Sequence, residues 1–155
     1  MLENKALRNI PEGGLELPAD LQFLDKTAIL WPLNPDGAAI EIAKKMHELL
    51  GTKIAVVIGY ADNCPLKNIE YRRIDAKETL FFGYPKSSAI EKTRGFTASI
   101  DLSPIFELKL SGLPAIAGIP LRLGRDASKS GDFYNIILTS GSGAEIETLI
   151  GAMKK

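Results

Sequence analysis

The clearest pattern in the chain is helical. Ala39, Ile42, Ala43, Met46, Leu49 and Leu50 recur at the spacing of one helix face, with Glu41, Lys44, Lys45 and Glu48 opposite. Asp36 is placed to cap this helix and Gly51 to stop it. Residues 27–33 ahead of it predict a strand closed by Pro32, followed by the turn Asn34-Pro35-Asp36-Gly37. Residues 53–60 behind it are continuously apolar and β-branched, the pattern of a strand covered on both faces. Strand, helix and buried strand in succession predict a βαβ unit with parallel pairing.

Further along, residues 78–82 read as a strand ending at Gly83-Tyr84-Pro85. Residues 88–93 read as a short helix, with Ser88 and Glu91 spaced as a capping box. Phe96, Ala98, Ile100 and Leu102 alternate with Thr97, Ser99 and Asp101, the period of a half-buried strand, and Phe106, Leu108 and Leu110 continue it. Two prolines exclude a central strand at 112–120. A short strand at 121–123, a polar loop at 124–132, a buried strand at 133–138 and a last helix through Ile146, Leu149, Ile150 and Met153 complete the reading. Residues 1–20, with Pro11, Gly13, Gly14 and Pro18, read as a loose lead-in to a single domain at 21–155. The expected fold is α/β, a single mixed and largely buried sheet with helices on both faces.

The remaining chemistry narrows the choice. The chain has 155 residues, and its 19 basic and 19 acidic residues cancel, which excludes a generic nucleic-acid binder. No window is long and apolar enough to span a bilayer, so no membrane partner is expected. One cysteine, Cys64, and one histidine, His47, exclude an internal disulfide and a Cys/His zinc cluster, and fit a cytoplasmic setting.

Three loops carry groups suited to an anion. Thr139, Ser140, Gly141, Ser142 and Gly143 lie between a predicted strand and a predicted helix. Backbone amides and hydroxyls there suit a phosphate, although Ser142 with Glu145 also forms a capping box. Arg125 and Lys129, in the loop after Arg122, could clamp phosphates, and Lys86 precedes a short helix. Each also reads as solvated surface. Asp62, just past the strand at 53–60, either holds Mg²⁺ beside phosphates or closes an Asx turn before Pro65. Together these features predict a purine nucleotide partner, GTP first, with Mg²⁺ and a small-molecule acceptor.

Residues 30–62 resemble a segment of the γ-glutamyl ligases that extend the deazaflavin coenzyme of methanogens. The shared features are Pro32-Leu33-Asn34-Pro35-Asp36-Gly37, the helix after it, the Gly51-Thr52-Lys53-Ile54 entry to a strand, and the Asp62 loop. The resemblance implies GTP, a divalent metal near Asp62 and a ligase-like reaction in archaeal-type cofactor biosynthesis; nucleotidyl transfer and a homodimer are further expectations beside it. Gly95-Phe96 with Asp101-Leu102-Ser103-Pro104-Ile105-Phe106 is faintly similar to a run in nucleoside triphosphate pyrophosphatases. A pyrophosphatase-like enzyme, or a non-catalytic nucleotide- or cofactor-binding module, is the alternative expectation.

Overall fold

A computed structural model describes residues 8–9, 26–60, 63–129, 131–138 and 148. Among the described residues seven strands form one sheet: β1 (Arg8–Asn9), β2 (Thr27–Trp31), β3 (Ile54–Gly59), β4 (Glu70–Arg73), β5 (Ala98–Asp101), β6 (Leu121–Gly124) and β7 (Ile136–Ile137). Their order is β1-β7-β6-β5-β2-β3-β4, and every ladder among them is parallel. The sheet expected to be mixed is thus parallel, and the one antiparallel contact among the described residues is an isolated bridge between Thr79 and Pro85. From β2 the chain winds through β3 to β4 on one side. It then returns to pair β5 with β2 and winds through β6 to β7 on the other. This is the strand order of a doubly wound sheet, with its switch between β2 and β5.

Parallel strands need crossovers, and these put helices on both faces. Helix α1 (Gly37–Leu50) packs Ala39, Ile42, Ala43, Met46 and Leu50 against Ile29 and Trp31 of β2, Val57 of β3 and Ile100 of β5. The alternate residues Ala28 and Leu30 of β2, with Val56 and Ile58 of β3, face the other way. They meet Ala89 of α2 (Ser87–Glu91), Leu110 of α3 (Leu108–Ser111) and Leu113 of α4 (Leu113–Ile116). Burying both faces explains why β2 and β3 read as continuous apolar runs. The same burial corrects the reading of β5. All four of its residues are buried, Ser99 and Asp101 included, because the strand is central rather than half exposed.

The caps of α1 follow the sequence: Asp36 accepts from the Ala39 amide at 2.9 Å, and Gly51 at φ 57° ends the helix. Four other expectations change. Residues 8–9 of the lead-in form an edge strand against β7. Leu80, Phe81 and Phe82 form no strand; they cap a tight hairpin between the Ala76–Glu78 3-10 turn and α2. The residue at the start of α2 is Lys86, with no side-chain cap, rather than Ser88. Residues 108–111 are helical rather than a continuing strand, and a second short helix with Pro114 in its first turn follows directly. Of the predicted last helix only Thr148 is described, and it is helical; Ile146, Leu149, Ile150 and Met153 lie outside the described residues. Among those residues no helix is long and apolar enough to cross a membrane.

Candidate functional site

The loops leaving β2 and β5 part company. The first climbs onto the face covered by α1, the second onto the face covered by α3 and α4. A crevice at the carboxyl edge of the sheet follows from that divergence, and it is where doubly wound sheets bind ligands. Its β2 side is built on Trp31, which is fully buried. The Trp31 Nε1 donates to Asn63 Oδ1 at 2.7 Å, which ties the loop after β3 to the end of β2. Past the strand ends each lip carries an exposed apolar side chain, Leu33 after β2 and Ile105 after β5.

Arg125 crosses this edge. It follows β6, yet its Nη1 donates to Leu102 O at 3.0 Å beyond β5 and to Asp36 Oδ1 at 2.9 Å beyond β2. Its Nη2 reaches Asp36 Oδ2 at 2.8 Å, completing a bidentate pair. The guanidinium is the main cause holding the Asp36 carboxyl below the usual carboxylate range. Three of the five N–H donors an arginine carries are therefore spent on strapping α1 to the ends of β5 and β6.

Beneath that strap lies a buried polar cluster that the sequence reading passed over. Asp101, 1% exposed at the end of β5, accepts from Tyr134 Oη at 2.5 Å and from the Ser103 amide at 3.0 Å. Burial pushes its carboxyl up, while hydrogen bonds from Ser111, Tyr134 and Ser103 pull the other way. Burial first, and the Asp101 charge second, push the Tyr134 phenol far above its ordinary value. Tyr134 lies flat on Gly124, where a Cβ would stand 2.3–2.4 Å from three ring carbons. The signals available in the sequence were a carboxylate ending an apolar strand and a glycine ending the next one.

The other candidates are scattered. Lys129 lies over the Phe106 ring at 5.2 Å. Neighbouring Asp126 accepts from the Phe106 amide at 2.9 Å and from Ser128, and the Phe106 bond leads in lowering its pKa. Arg122 donates to the carbonyls of Phe133 and Ile119, a structural role. Lys86 is exposed at the base of the aromatic hairpin, between β4 and α2, whereas Arg125 and Lys129 follow β6. Asp62 and residues Thr139, Ser140, Gly141, Ser142 and Gly143 lie outside the described residues. Among those that are described, no group of three or more His, Cys, Asp or Glu side chains is placed to hold a metal ion.

Cys64 is half buried in a groove of about 360 Å³ with Val57, Leu66, Ile69, Tyr71 and Arg73. Burial pushes its thiol up, which disfavours a reactive thiolate. Neither a protein-family model, nor a curated protein, nor a solved structure matches the chain.

Proposed function

We propose that the chain binds a purine nucleotide, GTP first, in the crevice between the carboxyl ends of β2 and β5. The observation that carries the reading is the switch in winding direction between those two strands in an all-parallel sheet. Supporting it, Leu33 and Ile105 offer apolar contacts to a planar base from opposite lips. Arg125 joins Asp36 beyond β2 to Leu102 O beyond β5 at the same edge. In this reading Arg125 acts through Asp36, by fixing the start of α1, more than as a free clamp on phosphate. Asp62 with Mg²⁺, and Thr139, Ser140, Gly141, Ser142 and Gly143, which follow β7 in the chain, would serve the phosphates.

The reaction in this proposal is transfer from the nucleotide to a small-molecule acceptor. Pyrophosphate release would mark nucleotidyl transfer, and orthophosphate would mark ligase-like activation of a carboxylate. Calorimetry with GTP and ATP, each with and without Mg²⁺, tests the binding. The expected result is saturable heat with GTP, abolished by Ile105→Asp. Absence of heat with either nucleotide at millimolar concentration refutes the reading. Binding without product in the presence of candidate acceptors identifies a binding module instead.

A further inference from the structure

The large apolar side chains that remain exposed among the described residues are Leu33, Leu80, Phe81, Phe82, Tyr84 and Ile105. All six stand on loops at one edge of the sheet, the carboxyl edge: after β2, after β4 and after β5. The hairpin after β4 is the extreme case. Phe81 is 97% exposed and Phe82 69%, and the two rings meet edge to face, 5.4 Å apart.

This hairpin is held in place rather than left loose. The Leu80 amide donates to Tyr84 O at 2.7 Å, the Gly83 amide to Leu80 O at 3.0 Å, and the Lys86 amide to Glu78 O at 2.7 Å. Its base is pinned by Tyr60, whose hydroxyl meets Thr79 Oγ1 and donates to Lys109 O, both at 3.1 Å. Lys92 grips Glu78 at 2.8 and 2.9 Å. A rigid turn that holds two phenylalanines in water, when folding them inward would bury them, needs an apolar medium to receive them.

We infer that the carboxyl edge docks on an anionic lipid surface, with Phe81 and Phe82 entering the acyl region. Two features favour this occupant. Phe81 and Phe82 turn most of both rings outward at the end of the hairpin, so a medium that surrounds them fits better than a flat partner face. At the hairpin base the exposed lysines Lys77 and Lys86 outnumber the carboxylate Asp75, which keeps its charge in a capping box, and nearby Glu78 is paired with Lys92. That leaves positive charge at headgroup depth, with the amphipathic Tyr84 between. A second copy is the weaker occupant. Two phenylalanines offer roughly 300 Å², far below the roughly 800 Å² per partner of a stable interface. Such docking is peripheral and reversible, and needs no spanning helix.

Co-sedimentation of the full chain with vesicles of phosphatidylcholine, with and without phosphatidylserine, tests the inference. The chain should pellet with the phosphatidylserine vesicles, and less so as salt is raised. The double variant Phe81→Ser/Phe82→Ser should bind at least about tenfold more weakly while melting like the parent, because neither ring supports the core. Lys77→Gln/Lys86→Gln should remove the preference for phosphatidylserine. Wild-type chain that stays in solution with both vesicles overturns the inference. So does a double serine variant that pellets as well as the parent. Sedimentation equilibrium that shows a dimer lost in the serine variant, with no vesicle binding by either, assigns the tip to a second copy and also overturns it. The outcome is independent of nucleotide binding.

Discussion

Tyr134→Phe isolates the buried cluster at the end of β5. The substitution keeps the ring on Gly124 and removes a single hydroxyl, the one that donates to Asp101 at 2.5 Å. A hydrogen bond to a buried charged group contributes about 1.5–3 kcal/mol, and a neutral one about 0.5–1.5 kcal/mol. The loss should therefore depend on the state of Asp101. Burial raises its folded-state pKa, so the stability tied to its protonated form is complete below the unfolded carboxylate value. That stability fades as pH rises through the folded value.

Deleting the Tyr134 donor removes one of the contacts that pull the pKa down, and so raises it further. The loss should accordingly grow with pH, compared at pH 4 and pH 9: about 1 kcal/mol where the carboxyl is neutral and about 2–3 kcal/mol where it is charged. At about 2–4 °C per kcal/mol for a domain of this size, the alkaline loss corresponds to a melting shift of about 4–12 °C. Urea unfolding followed by the fluorescence of Trp31, the chain's one tryptophan, measures it at both pH values. A loss that is the same at both, or under about 0.5 kcal/mol, would refute the claim that the phenol serves the charged carboxylate.

Gly124→Ala should destabilise by about 1–3 kcal/mol, since its methyl would overlap the Tyr134 ring and force the ring off Asp101; thermal unfolding reads this directly. Arg125→Lys should fail to restore what Arg125→Ala loses, because an ammonium cannot fork onto both Asp36 oxygens and Leu102 O. The deficit of Arg125→Ala should shrink in acid, because the stability given by the lowered Asp36 pKa is present above the unfolded carboxylate value and vanishes as pH falls through the folded one. Asp36 is 41% exposed, so solvent keeps that pH-dependent part small, and urea midpoints across the acid range would show it. Asp62→Asn should lower Mg²⁺-dependent nucleotide affinity at least about tenfold, or about 1.4 kcal/mol, at unchanged melting temperature. Equal affinities by calorimetry would leave Asp62 a turn residue only.

The half of the fold around α1 was legible because its signals are local. An apolar stripe at helical spacing, an aspartate before it and a glycine after it need no tertiary information. β4 was not legible, because Glu70-Tyr71-Arg72-Arg73 has no apolar pattern, and it becomes a strand only by pairing with β3. Leu80, Phe81 and Phe82 misled in the opposite sense. An apolar run reports hydrophobicity, and whether it meets a core or solvent depends on what the turn at Gly83 leaves beneath it. At the candidate site the sequence drew attention to Arg125 as a cation and to Asp36 as a cap. That they are one unit, 89 residues apart in the chain, follows only from the order of β6, β5 and β2. The Asp101 and Tyr134 pair was hidden for the same reason, since alternation in β5 reads as one wet face until neighbours cover both.

The pairing of β1 with β7 bears on how the protein is made. Arg8 sits opposite Ile136 in register, so β1 leaves the ribosome long before the strand it pairs with. Until β7 emerges, β2, β3 and β5 can pair with one another and pack against α1, but β1 has no strand to join. Because parallel pairings across long intervening chain close late and slowly, this outer ladder sets a late step of folding. A nascent chain stalled before residue 136 would hold much of the core with β1 still unpaired.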